Sequence, residues 1–202
     1  QSDPRQPDPF AEGWQEPSAS VDSSSEPAAR VAAESPWGGL LFLLPVVGSA
    51  GLPEEIVGSS VMRERSFSWV MHQLALLLLD PHDELAVCDD DPAVLTFCGL
   101  RAGQDPPDQD EPSPNHQEQL CLIEWRHTIV AALRRRFTEG GVELNLSPQA
   151  LVTWVCARQA EFVADPGWTE IRFSADEVST ELRRCGLDLD PGYIPWLGLV
   201  VK

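Results

Sequence analysis

Basic side chains are scarce in this chain: 14 Lys and Arg stand against 32 Asp and Glu in 202 residues, a formal net charge of -18. A field of that sign repels polyanions and anionic lipid alike, which excludes broad contact with nucleic-acid phosphate and docking on a charged bilayer. Long apolar runs are also missing. The most apolar stretch, Trp37 to Leu52, holds 16 residues and includes Pro45 and four glycines, whereas a spanning helix needs about 20. Leu74 to Leu79 is shorter still. Both read as buried core, and membrane insertion through residues 37–52 stands as an alternative. No basic stretch followed by an apolar one marks a signal peptide. The five cysteines (Cys88, Cys98, Cys121, Cys156, Cys185) are odd in number, irregularly spaced and without a CxxC pair. That argues against a disulfide scaffold and leaves buried free thiols of a cytoplasmic protein.

What is present is divided unevenly. The apolar fraction of 43% is too high for a wholly disordered chain, and the length allows one ordinary domain with tails. Residues 1–36 carry -5, residues 37–79 carry -1, residues 80–119 carry -10 and residues 120–202 carry -2. The acidity therefore lies outside the two apolar regions. Residues 1–36 contain six prolines and the run Ser23-Ser24-Ser25 without hydrophobic periodicity, and are expected to form a disordered leader or linker. Residues 103–119, with four prolines and five acids, are expected to form a solvated, dispensable loop inside a single domain spanning 37–202. The ends, Gln1 and Leu199-Val200-Val201-Lys202, suit a piece of a longer chain.

Helical spacing predicts a short helix over Gly38–Leu44 ended by Pro45, a second over Ser66–Leu79 and a third over Ala93–Leu100 behind Asp91-Pro92. The clearest helix covers Gln119–Phe137, with Leu122, Trp125, Ile129, Leu133 and Phe137 on one face and Arg134-Arg135-Arg136 in the last turn. Another opens at Ser147-Pro148 and places Leu151, Val152, Val155, Cys156, Phe162 and Val163 on one apolar face. Alternation predicts strands at Val142–Leu146, Trp168–Phe173, through Leu182 after a capping box at Ser174–Glu177, and at Leu197–Lys202. The expected fold class is α+β: a helical body of four to five helices followed by a small antiparallel sheet at the C-terminus.

No constellation signals a reaction. His82, Asp83, Asp89, Asp90 and Asp91 cluster, but lack the alternation and central glycine of a calcium loop. Zinc spacing, a Walker loop, G-x-G-x-x-G and G-x-S-x-G are all absent. His72 and His127 lie in predicted helices and His116 in the loop. A hydrolase or thiol enzyme using Cys121 or Cys156 would need a site assembled only by the fold. The arginines at 134–136 suit dipole complementarity better than phosphate binding. Neither catalytic nor metal-ligating residues, nor a cofactor, are assigned. Seven Trp against one Tyr point to core and interface anchors, with Trp37, Phe42 and Trp196 the leading candidates.

The C-terminal stretch Cys185-Gly186-Leu187-Asp188-Leu189-Asp190-Pro191-Gly192-Tyr193-Ile194-Pro195-Trp196-Leu197-Gly198 resembles the end of an accessory protein family from gene clusters of extracellular contractile injection systems, the phage-tail-like particles of bacteria. The aromatic and Gly-Leu-Leu-Phe-Leu-Leu of Trp37–Leu44 are similar to that family's opening helix. The resemblance implies a non-enzymatic structural or assembly component, made in the bacterial cytoplasm and incorporated into a released particle, whose partners are other proteins. It implies no catalytic residues. The residues themselves predict a rigid corner: Gly186 and Gly192 for backbone freedom, Pro191 and Pro195 to fix the turn, Asp188 and Asp190 to accept backbone N–H bonds, together aiming Trp196 into the core.

Overall fold

The structure, a computed structural model, describes residues 31–79, 87–107, 111–165, 168–174 and 179–202. Along the chain these form β1 (Val31–Ser35), a 3-10 helix (Gly38–Leu43), α1 (Leu44–Ser49), α2 (Leu52–Gly58), α3 (Phe67–Leu79), α4 (Pro92–Phe97), α5 (His116–Glu139), α6 (Pro148–Cys156), β2 (Ala160–Asp165), β3 (Trp168–Phe173), α7 (Thr180–Arg184), β4 (Gly192–Ile194) and β5 (Leu199–Val201). The α+β class holds, with seven α-helices among the described residues. The strand order is β1-β2-β3-β5-β4, and every pair is antiparallel except β3 with β5.

The sheet is thus mixed, and it is not confined to the C-terminus. Its first strand comes from the stretch expected to be leader. Val31–Ser35 pairs along its whole length with Ala160–Ala164. A strand that short, with two alanines and no alternation, carries no pattern of its own; its partner about 125 positions downstream supplies the hydrogen bonds. Ser35 then donates to Asp91 Oδ1 at 2.7 Å and accepts from the Trp37 amide at 2.9 Å, locking strand, 3-10 helix and α4 together.

The apolar run behaves as core. Leu40, Leu43, Val46, Val47 and Leu52 are fully buried, as are Trp69, Met71, Leu74 and Leu78 of α3. Burial of each such side chain contributes roughly 1.5–3 kcal/mol, an upper bound with a compact unfolded chain. No single described helix is long and apolar enough to cross a membrane, and the pair covering Gly38–Gly58 is bent by 70°. Membrane insertion through 37–52 would require dismantling this core. Pro45 does not end a helix; it sits in the first turn of α1, where its missing N–H costs nothing.

Three other expectations change. α6 stops at Cys156 instead of running to Val163, because Arg158 folds back and donates to the carbonyls of Val155 and Trp154 at 3.1 Å, stacking 5.3 Å from the Trp154 ring. Phe162 and Val163 then belong to β2, paired on both sides. Val142–Leu146 forms no strand: the Val142 amide returns to Phe137 O at 2.9 Å and Arg134 holds Leu146 O at 2.8 Å, so the segment lies along α5. The stretch through Leu182 is helix α7, capped by Ser179. The proposed capping box at 174–177 falls mostly outside the described residues.

The loop expected to be free of packing is anchored at its second half. Arg65, with a side chain 9% exposed, donates from Nε and one terminal nitrogen to both oxygens of Glu118 at 2.9 Å, and to Pro112 O and Ser113 O. Its guanidinium lies 4.2 Å from the Trp69 ring centre. Asn115 caps α5, its side chain accepting from the Glu118 amide while Glu118 accepts from the Asn115 amide. The acidic segment therefore ends in a buried ion pair instead of running in solvent to 119.

Candidate functional site

The C-terminal block builds the corner that its residues predict. Gly186 and Gly192 adopt positive φ of 63° and 65°, and Asp190 Oδ1 accepts from the Gly192 amide at 2.7 Å. A Cβ on Gly192 would meet no heavy atom within 4 Å, so glycine is needed there for conformation, not for space. Asp188 serves differently from the expectation: its Oδ2 pairs with Arg183 at 3.0 Å, and its buried Oδ1 finds no donor among the described residues. Pro195 is exposed and precedes Trp196. Trp196 is half-buried and meets Phe67 edge-on at 5.9 Å, so the corner lays the indole on the flank of the core and not inside it.

The corner also closes a groove. Asp188, Leu189, Asp190 and Pro191 form one wall. Ile171 and Phe173 of β3, Leu41 and Phe42, and Val201 and Lys202 complete its lining. The cavity measures about 170 Å³ and its lining is mostly apolar. Phe42 stacks on Phe173 with ring centres 5.0 Å apart. Leu189, 66% exposed, is one of the few large apolar side chains left in solvent. Phe42 and four of the turn residues proposed from sequence thus come together or adjoin here. Trp37 does not; it is core, fully enclosed beside an isolated bridge to Arg158. Ile171, Phe173 and Leu189 were not singled out by sequence reasoning, since only the pairing of β3 with β5 brings them to the corner.

The remaining candidates disperse. Asp91 caps α4 and takes the Ser35 hydroxyl; burial raises its carboxyl above the ordinary value, partly offset by those bonds. Asp89 and Asp90 are exposed, and His82 and Asp83 lie outside the described residues. Among the described residues no three His, Cys, Asp or Glu side chains gather to hold a metal ion. His72 is buried and bonds Asp89 O at 2.8 Å, while His127 is exposed on α5 and His116 sits at its first turn. All five cysteines are free; Cys98, Cys156 and Cys185 are buried and Cys88 exposed. Burial pushes the thiols of Cys121, Cys156 and Cys185 up, which favours the thiol over the nucleophilic thiolate. The arginine triplet splits three ways: Arg134 to Leu146 O, Arg135 to Glu139, and Arg136 half-buried.

The groove can do one thing chemically. Its volume of about 170 Å³ is large enough for an apolar group of about benzene size, beneath a rim bearing two carboxylates. Comparison with protein-family models, with curated proteins and with solved structures finds no match for this chain.

Proposed function

We propose that this protein is a non-enzymatic docking module that binds another protein through the groove at its C-terminal corner. The observation that carries this reading is the groove itself: an apolar cavity of about 170 Å³ walled by the rigid turn 188–191 and flanked by the exposed Leu189. An exposed leucine on the rim of an apolar cavity is a surface that a partner protein would cover. The raised thiols speak against the thiol-enzyme alternative. The narrower reading, a component of a phage-tail-like contractile injection particle, rests on the resemblance of the C-terminal block and of Trp37–Leu44.

A photo-crosslinking amino acid at position 189, with position 135 on the exposed flank of α5 as control, tests both levels in a lysate of the native host. An adduct formed at 189 and not at 135, identified by mass as a sheath, tube or baseplate protein, supports the particle reading. A defined adduct with any other protein keeps the docking module and removes the particle. Equal labelling at both positions, or none, refutes the docking site.

A further inference from the structure

We infer that residues 142–146 form an unpaired strand edge, and that this edge takes up an extended, acidic segment of a partner protein by strand addition. The site shares no lining residue with the corner groove and stands independently of it. The sequence alternates here as a strand does, yet no strand forms. The side chains still follow the pattern: Val142 is buried, Leu144 and Leu146 are half-buried, Glu143 and Asn145 are exposed. Neither turn nor bend interrupts residues 142–147. What is missing is a neighbour. Among the described residues no hydrogen bond reaches the main chain of Glu143, Leu144 or Asn145. The Val142 amide donates to Phe137 O and Leu146 O accepts from Arg134, so both are bonded towards α5. In an extended chain the main-chain groups of residues two apart point the same way. Those of Glu143 and Asn145 therefore point away from α5, as an open edge.

Charge selects the occupant. Arg184 reaches Gly141 O at 3.5 Å beside one end of the segment, and Arg134 donates to Leu146 O at 2.8 Å at the other. Neither meets a carboxylate among the described residues, whereas Arg135 and Arg183 are paired with Glu139 and Asp188. Charges more than about 8 Å away are screened at physiological ionic strength. The two local guanidiniums, and not the net charge of -18, therefore decide which strand docks. Gly141 and Leu146 are five positions apart, about 17 Å of strand, so carboxylates at that spacing on the incoming segment meet both arginines. A second copy is the poorer occupant. Antiparallel pairing about Leu144 would bring Arg134 of each copy to the Arg184 end of the other, like charge against like at both ends. A hollow of about 560 Å³, lined by Arg134, Phe137, Thr138, residues 142–145 and Leu151 but not by Arg135, adjoins the segment and leaves room for side chains of an added strand.

The test selects a phage-displayed library of random dodecapeptides against the full 202-residue chain, and resynthesises the best binders. The expected binders carry two acids about five positions apart. On binding, hydrogen exchange at the Glu143 and Asn145 amides slows about tenfold or more, while that at Leu144 changes by less than about twofold. Arg184→Gln, at an exposed position, weakens binding about three- to fivefold at low salt and less at high salt. Leu189→Asn leaves it unchanged. Binders that slow neither amide, or that ignore Arg184→Gln, overturn the inference. Binders lost on Leu189→Asn belong to the groove; they overturn this edge and support the docking reading above. A dimer of this chain in sedimentation, with both amides protected in the absence of peptide, assigns the edge to a second copy and overturns the partner segment. A library that yields no binder also overturns the edge, and leaves the groove to be judged by its own cross-links.

Discussion

Gly39 offers the sharpest test of the packing, because its local and tertiary demands have opposite signs. It lies in the 3-10 helix, where Ala is preferred to Gly by about 1 kcal/mol on propensity grounds. A Cβ at that position would fall 2.1 Å from the carbonyl oxygen of Val155 and 3.1 Å from Cys156 Cα. Ordinary contact begins near 3.4 Å, so the two segments must separate by roughly 1.3 Å, and both sides of the clash are backbone that no rotamer change relieves. The 3-10 helix would have to leave the C-terminal turn of α6, disturbing Leu40, Leu43 and the β1 junction together. Gly39→Ala should cost about 3 kcal/mol or more, above the upper end of single overpacking costs once the propensity gain is subtracted. Gly58→Ala is the control: it ends α2 with no heavy atom within 4 Å of the added carbon, and should be neutral or stabilising by up to about 1 kcal/mol. Urea unfolding followed by tryptophan fluorescence reads both, and with a slope of about 2 kcal/mol/M the Gly39 midpoint should fall by about 1.5 M. A Gly39→Ala midpoint within about 0.5 M of the parent would refute the close approach.

Gly192→Val should cost about 2 kcal/mol from backbone strain alone, and an unchanged melting temperature would remove the corner's rigidity. Glu118→Gln keeps the shape of the capping box and removes the charge facing Arg65; it should cost about 2–3 kcal/mol by denaturant unfolding, less than the 3–5 of deleting a buried partner outright. The two perturbed carboxyls should give pH dependences of opposite sign. Arg65 lowers the folded value of Glu118, so its stabilisation is present above the unfolded value of 4.5 and is lost as pH falls through the lower folded one. Asp91 is raised by burial, so its ionisation opposes folding above the folded value, and stability recovers as pH falls from there toward 3.8. Asp91→Asn, which retains the cap, should be nearly neutral near pH 7 while Asp91→Ala costs about 1–2 kcal/mol; equal losses in both would contradict the burial argument.

The elements legible in the sequence were those whose signal is local. The amphipathic faces of α3 and α5, the Asp91-Pro92 and Ser147-Pro148 starts, and the β3 alternation each depend on residues within one element. Turn chemistry around Asp190-Pro191-Gly192 was legible for the same reason. What escaped is long-range. β1 has no apolar alternation and exists through β2, and α6 ends where Arg158, a residue beyond it, captures its carbonyls. The docking groove combines Phe42, Phe173 and Leu189, which no spacing rule links. Arg65 and Glu118 are 53 positions apart, so no local spacing links the buried pair that anchors the acidic loop.

The registration of β1 against β2 has a consequence for how the protein is made. Synthesis delivers β1 and the 3-10 helix first, and their partner strand about 125 residues later. At roughly 5–20 residues per second that interval is about 6–25 s, far longer than the microseconds that helices need to form. Throughout it Leu40, Leu41, Phe42 and Leu43 have neither α6 nor β2 to cover them. The newborn chain is thus at its stickiest while still on the ribosome, and its yield in cells should depend more on chaperone capacity and translation speed than on the stability of the finished fold.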